Sequence, residues 1–135
     1  MTDSFHAKQM ALRFIEHINR GARADLRELF ADDVLWVVPK SAVPPYAGEH
    51  RGAEHVIDLM LSAVMNSFDA NGVKHEVRLA LAEDDWVMLE TVMRGKHVDG
   101  RCYENEYVFL LRLAGDCIVE IREHVDTAYA VRFFG

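Results

Sequence analysis

Halfway along this chain the apolar residues change period, and that change constrains the fold more than any other feature. Up to Phe68 most of them recur at the three- and four-residue intervals of a helix; from Val73 onward they alternate, as in strands. Helices first and a run of strands afterwards predicts α+β, with the helices segregated to one face of a largely antiparallel sheet. The chain's 135 residues suit one domain spanning 1–135, able to bury about two thirds of its unfolded surface without disulfide or metal support.

The punctuation divides the chain further. Asp3 or Ser4 caps a first helix that carries Phe5, Ala11, Phe14, Ile15 and Ile18 and stops at Gly21. Asp25 opens a short second helix through Leu26, Leu29 and Phe30, which ends at the corner Ala31-Asp32-Asp33. A strand from Val34 to Val38 is stopped by Pro39, and the long loop from Pro39 to Gly52 holds all three prolines. Loops of that length in a compact domain commonly rim a functional site. Ala53 to Phe68 reads as a third helix with Val56, Ile57, Met60, Leu61, Val64 and Phe68 on its apolar stripe, closed by Asn71-Gly72. Four strands follow, Val73–Ala82, Trp86–Arg94, Arg101–Leu113 and Cys117–Asp126, turning at Asp84-Asp85, Asp99-Gly100 and Ala114-Gly115-Asp116. Thr127 to Phe134 is a short helix or a tail.

Charge and targeting exclude several classes. A net charge of −7 opposes a polyanion partner, so neither nucleic acid nor an anionic membrane is expected. Cys102 and Cys117 lie in strand-like runs without clustered spacing and read as free thiols of a cytoplasmic protein. The N-terminus shows no basic region followed by an apolar stretch. Seven histidines invite a metal reading, but none forms an i, i+4 pair or a His/Cys cluster, so no metal is expected. No phosphate-binding glycine loop or nucleotide fingerprint appears, so no organic cofactor is expected either.

Four stretches carry a resemblance: Leu29-Phe30-Ala31-Asp32-Asp33-Val34, Tyr46-Ala47-Gly48-Glu49-His50-Arg51-Gly52, Tyr103-Glu104-Asn105-Glu106-Tyr107-Val108-Phe109, and the run from Ile118 to Thr127 containing Arg122-Glu123. Together they resemble the SnoaL-like branch of the nuclear transport factor 2-like superfamily. The resemblance implies a cone-shaped fold, with three N-terminal helices packed on a curved mixed or antiparallel sheet. It implies a small-molecule pocket, and relatives include polyketide cyclases, epoxide hydrolases, ketosteroid isomerases and phenazine-pathway condensing proteins. Superposed on the steroid isomerase pattern, the general-base position falls on Val38 and the proton donor near Val108, so that mechanism lacks its base. The epoxide hydrolase pattern places Glu90, Val92 and Glu123 at its three site positions. The phenazine-pathway Arg-Glu pair matches Arg122-Glu123 directly, which makes Glu123 the position on which two relatives agree.

Register arithmetic locates a pocket independently of relatives. A three-residue loop at Ala114–Asp116 sets Tyr107 opposite Glu123 and Phe109 opposite Ile121. A two-residue turn at Asp99-Gly100 sets Phe109 opposite Glu90 and Asn105 opposite Arg94. One face then gathers Glu90, Arg94, Tyr103, Asn105, Tyr107, Phe109, Ile121 and Glu123, with Phe14, Ile18, Trp36, Tyr46 and Met60 expected as further wall or rim. A carboxylate among apolar neighbours is disfavoured in its charged form, which raises its pKa toward the range useful for acid/base work. Glu123 is therefore the candidate acid/base, with Tyr107 and Asn105 as positioning or donor groups. Two readings stand side by side: a cofactor-independent isomerase, cyclase or hydratase acting on a small apolar carbonyl compound, and a non-catalytic ligand-binding or assembly domain in which Glu123 pairs structurally with Arg94. His75 reads as a satisfied core histidine. His50 and Arg51 are rim candidates. The same register leaves Val87, Leu89, Thr91 and Met93 on the outer face, an apolar patch that predicts a homodimer through the sheet.

Overall fold

The computed structural model describes residues 3–135, and at positions 63–67 and 69–71 it describes the backbone only. The expected place of Val64 on an apolar stripe therefore lies outside the described side chains. Helix α1 (Ser4–Arg20) and α2 (Arg23–Leu29) lead into strand β1 (Phe30–Val38) and a short β2 (Gly48–Arg51). Helix α3 (Ala53–Ser67) follows, then β3 (Phe68–Glu83), β4 (Trp86–His97), β5 (Cys102–Ala114), β6 (Cys117–Val125) and a closing helix α4 (Thr127–Phe134). The six strands form one sheet in the order β2-β1-β6-β5-β4-β3. Only β1 and β6 run parallel. The sheet is thus mixed. Two helices rather than three precede the first strand; the third comes after β2.

The local rules act where the sequence places them. Asp3 caps α1 by accepting the Phe5 N–H at 3.1 Å, and Gly21 ends it at φ 63°, a left-handed conformation glycine adopts freely. The buried side of α1 is Ala7, Met10, Ala11, Phe14, Ile15 and Ile18; Phe5, expected on this stripe, is 68% exposed in the first turn. It packs with Leu26 of α2, Val56 and Ile57 of α3, and Leu89, Phe109 and Leu111 of the sheet in one core. Asp25 sits in the first turn of α2, not at its cap, which is Ala22. The corner expected at Ala31–Asp33 is part of β1, and the long loop contributes β2, which pairs with β1 at Trp36↔His50 and Val38↔Gly48. Asn71-Gly72 does not close α3; the helix ends at Ser67 and the chain enters β3 at Phe68, with a register shift against β4 between Phe68 and Val73. The last segment is a helix, its cap the Asp126 carboxylate accepting the Tyr129 N–H at 3.1 Å.

Four departures in register decide what faces where. The β5–β6 turn has two residues, since Ala114 pairs with Cys117, and Val119 is an extra residue in β6 between the pairs Leu113↔Ile118 and Arg112↔Glu120. These two one-residue errors cancel in parity. Tyr107, Phe109 and Glu123 share a face as expected, although Glu123 lies across from Phe109 and Tyr107 from Val125.

The β4–β5 turn carries no such compensation. Its loop is Val98-Asp99-Gly100, closed by the Gly100 N–H donating to the His97 carbonyl at 2.9 Å, with Gly100 at φ 95°. The three-residue loop shifts β4 by one place, so Tyr107 pairs with Thr91 and Phe109 with Leu89. Every β4 side chain is inverted. Glu90 and Arg94 lie on the outer face, where Arg94 pairs with Glu76 at 2.5 Å and Glu104 at 3.4 Å. Val87, Leu89, Thr91 and Met93 turn inward and are buried, which removes the patch on which the expected homodimer rested. In β3 an extra residue at Arg78 keeps His75 and Val77 inside but turns Leu79 and Leu81 out, 43% and 54% exposed.

Candidate functional site

Between α1, α3, the inner sheet face, the long loop and α4 lies a cavity of about 300 Å³. Nine expected site residues line it: Phe14, Ile18, Trp36, Tyr46, Met60, Tyr103, Tyr107, Phe109 and Glu123. Four do not. Glu90 and Arg94 are on the far side of the sheet because of the three-residue turn. Ile121 is wholly buried in the core rather than against the cavity. Asn105 is buried behind the wall, its amide donating to the Tyr103 hydroxyl at 2.9 Å and to the Asp126 carbonyl at 3.1 Å. It can orient Tyr103 but does not reach the cavity.

Glu123 is the acidic group of this apolar space. Its Oε1 accepts a hydrogen bond from Trp36 Nε1 at 3.3 Å, a contact made possible because β1 and β6 are parallel neighbours paired at Trp36↔Ile121. The residue is half-buried rather than sealed, and its side chain borders the cavity. Burial raises its pKa from 4.5 to about 7, and the Trp36 bond offsets part of that rise. At neutral pH both protonation states are populated. The expected structural partner, Arg94, is engaged with other carboxylates on the outer face.

Beside Glu123 stands a tyrosine pair. The hydroxyls of Tyr103 and Tyr107 are 2.8 Å apart, and either can donate to the other. Burial holds the Tyr107 hydroxyl well above its ordinary pKa, and the neighbouring Tyr103 and Glu123 push it the same way. Burial also raises Tyr103, against the hydrogen bonds from Tyr107 and Asn105 that lower it. Both stay neutral donors across the physiological range. The rings of Tyr107 and Phe109 stack nearly parallel, 8° apart with centroids 5.9 Å from each other, and both line the cavity.

Sequence reasoning missed several lining residues. Met93, expected on the outer face, turns inward because the β4–β5 loop has three residues. Ala130 and Phe134 come from α4; the signal was the aromatic spacing of Tyr129, Phe133 and Phe134 behind a capping Asp126. Residues 42–45 of the proline-rich loop border the cavity beside Tyr46. His50 lies just outside. Its Nε2 donates to the Tyr46 carbonyl at 2.8 Å, and its ring is 5.2 Å from that of Trp36, so it steadies the rim. Arg51 donates to the Asp33 carbonyl at 3.1 Å, tying the loop to β1. His75 lines the cavity with a pKa depressed by burial to about 4. Among the described residues no three His, Cys, Asp or Glu side chains converge as metal ligands would, and no helix is long and apolar enough to cross a membrane.

Known structures repeat this architecture. The chain is similar to an NTF2-like protein from Burkholderia xenovorans LB400 (23% identity, 98% of each chain covered, TM-score 0.81). It is also similar to a Xanthomonas campestris protein of cystatin-like fold (27% identity, 96% of this chain and 98% of that one, TM-score 0.76). A third is a protein from Jannaschia sp. CCS1 designated a SnoaL-like polyketide cyclase (17% identity, 97% and 95% covered, TM-score 0.80). No curated protein is significantly similar in sequence. The model of the SnoaL-like domain matches residues 11–121, which carry β1, α3 and most of the meander around the cavity, and the chain belongs to that family.

Proposed function

We propose that the protein is a cofactor-independent enzyme that moves protons on a small, largely apolar carbonyl compound, an isomerase, cyclase or hydratase in reaction class. The observation that carries this reading is Glu123, a carboxylate facing a cavity of mostly aromatic and aliphatic walls with a pKa of about 7. A general base works best with a pKa near the operating pH, because it is then both available and strong enough. In the proposed cycle the Glu123 carboxylate takes a proton from carbon next to the carbonyl, and the tyrosine pair donates to the oxygen on which charge develops. Glu123 then returns that proton to another position. The designation of the Jannaschia fold relative as a polyketide cyclase is compatible with this chemistry.

Exchange of carbon-bound protons tests it without knowledge of the natural substrate. In D2O, 2-tetralone should incorporate deuterium faster with protein than without, at a rate rising with pH through about 7 as Glu123 ionises. Glu123→Gln should lower that acceleration on the order of 100-fold or more. Equal exchange by the variant and the wild type removes Glu123 from the chemistry.

We also infer a homodimer through the outer sheet face, on a footing different from the patch first expected. Leu81, Met88 and Leu110 lie in one row across β3, β4 and β5, with Leu79 beside them. Exposed apolar rows of this kind are commonly covered by a partner.

A further inference from the structure

His75 sits on β3, and among the described residues its side chain is bound on one edge only. Its Nδ1 lies 2.8 Å from the Thr91 hydroxyl, which is itself fully buried. Asn19 holds the backbone of the same residue from both sides, donating to the His75 carbonyl at 2.9 Å and accepting its N–H at 2.7 Å. The imidazole is therefore fixed in place. Its Nε2 has no hydrogen-bond partner among the described residues. Only His17 Nδ1, among those residues, is a fully enclosed side-chain nitrogen or oxygen without a partner. The Nε2 of His75 is not among those enclosed atoms, and the residue lines the cavity.

We propose that His75 is a second ligand-binding residue of the cavity, presenting its Nε2 edge to an oxygen function at the end of a planar, uncharged molecule opposite the end handled by Glu123. The proposal rests on reading the cavity as a small-molecule site. Three strand spacings separate β3 from β6, about 14 Å at the backbone. The stacked Tyr107 and Phe109 rings lie between the two poles, and the His75 ring meets them edge-on at 5.1 and 5.4 Å. A molecule touching both poles must pass these two rings, and an aromatic skeleton of about two fused rings suits that span. Its ends would be hydroxyl or carbonyl groups. The Thr91 hydroxyl can donate to Nδ1 or accept from it, so Nε2 can serve as donor or acceptor. Burial keeps the imidazole neutral down to about pH 4, so it offers a hydrogen bond and no charge to an anionic ligand.

Calorimetric titration with naphthalene-2,6-diol and 2-naphthol tests this. The wild type should bind the diol about three- to tenfold more tightly than 2-naphthol, the worth of one added neutral hydrogen bond. In His75→Leu the preference should fall to roughly twofold or less, the statistical advantage of a symmetric diol. His75→Gln, whose amide reaches a similar point, should restore part of it. Thr91→Val keeps the volume and the histidine but frees the ring, so it should weaken the diol alone; it supplies the comparison if His75→Leu does not fold. A preference undiminished in His75→Leu and Thr91→Val, or equal weakening of both probes, overturns the role of His75 while leaving the small-molecule reading intact. Failure of the wild type to bind either probe overturns both.

Discussion

Glu123 and His75 are both buried against their preferred charge state, with opposite consequences for stability. The folded Glu123 pKa of about 7 lies above the ordinary 4.5, so its favourable contribution is complete below pH 4.5 and is lost as pH rises to about 7. The folded His75 pKa of about 4 lies below 6.5, so the fold loses stability as pH falls from 6.5 to about 4, where the unfolded chain binds the proton more readily. Between about pH 4.5 and 6.5 the two slopes, each about 1 kcal/mol per pH unit, nearly cancel. Single variants should uncover them. Urea unfolding of Glu123→Gln should show stability rising with pH across that window, and of His75→Leu stability falling with pH. Parallel pH profiles for the two variants would contradict the burial assigned to both groups. The inward place of Glu123 was legible in the sequence, because it alternates with Ile121 and Val125. The orientation of His75 was not, since a histidine on an apolar strand face reads the same whether its second nitrogen meets protein or an open cavity.

At the scale of the elements, the strand β4 turns on one residue of loop length. Asp99-Gly100 is a strong two-residue hairpin signal, yet Val98 joins the loop and Gly100 takes the left-handed position that follows a tight turn. Alternation alone could not expose the error, because β4 carries apolar residues at both parities: Val87, Leu89 and Met93 on one, Trp86, Met88 and Val92 on the other. Truncation distinguishes the registers. In the Leu81→Glu background, which keeps the outer face solvated, Leu89→Ala should cost about 3 kcal/mol as a core cavity, and Met88→Ala about 1 kcal/mol or less as a half-buried surface loss. Chemical denaturation measures both, and the reverse order would restore the two-residue turn. In the last hairpin the two-residue turn and the extra Val119 put Ile118 rather than Val119 on the inner face, but two shifts of one place keep Tyr107, Phe109, Ile121 and Glu123 inward.

For the whole molecule, the helices and the long loop convert one sheet face into an enclosed site and leave the other bare. If the row of Leu81, Met88 and Leu110 is a dimer interface, sedimentation at micromolar concentration should give twice the mass of the 15.4 kDa chain. Leu81→Glu should shift the population to monomer with the fold retained, because the side chain is 54% exposed in the single chain. A wild type that sediments as a monomer sinks the interface. The sequence by itself determined the α+β class, the antiparallel meander from β3 to β6 and the shared face of Tyr107, Phe109 and Glu123, since these follow from local periodicity and survive shifts that come in pairs. Only the tertiary structure decided which face of β4 is inside, that Trp36 rather than Arg94 partners Glu123, and that α4 and the proline-rich loop complete the cavity. Those outcomes depend on single-residue choices of turn and bulge and on parallel pairing between distant strands, which packing selects and no local pattern encodes.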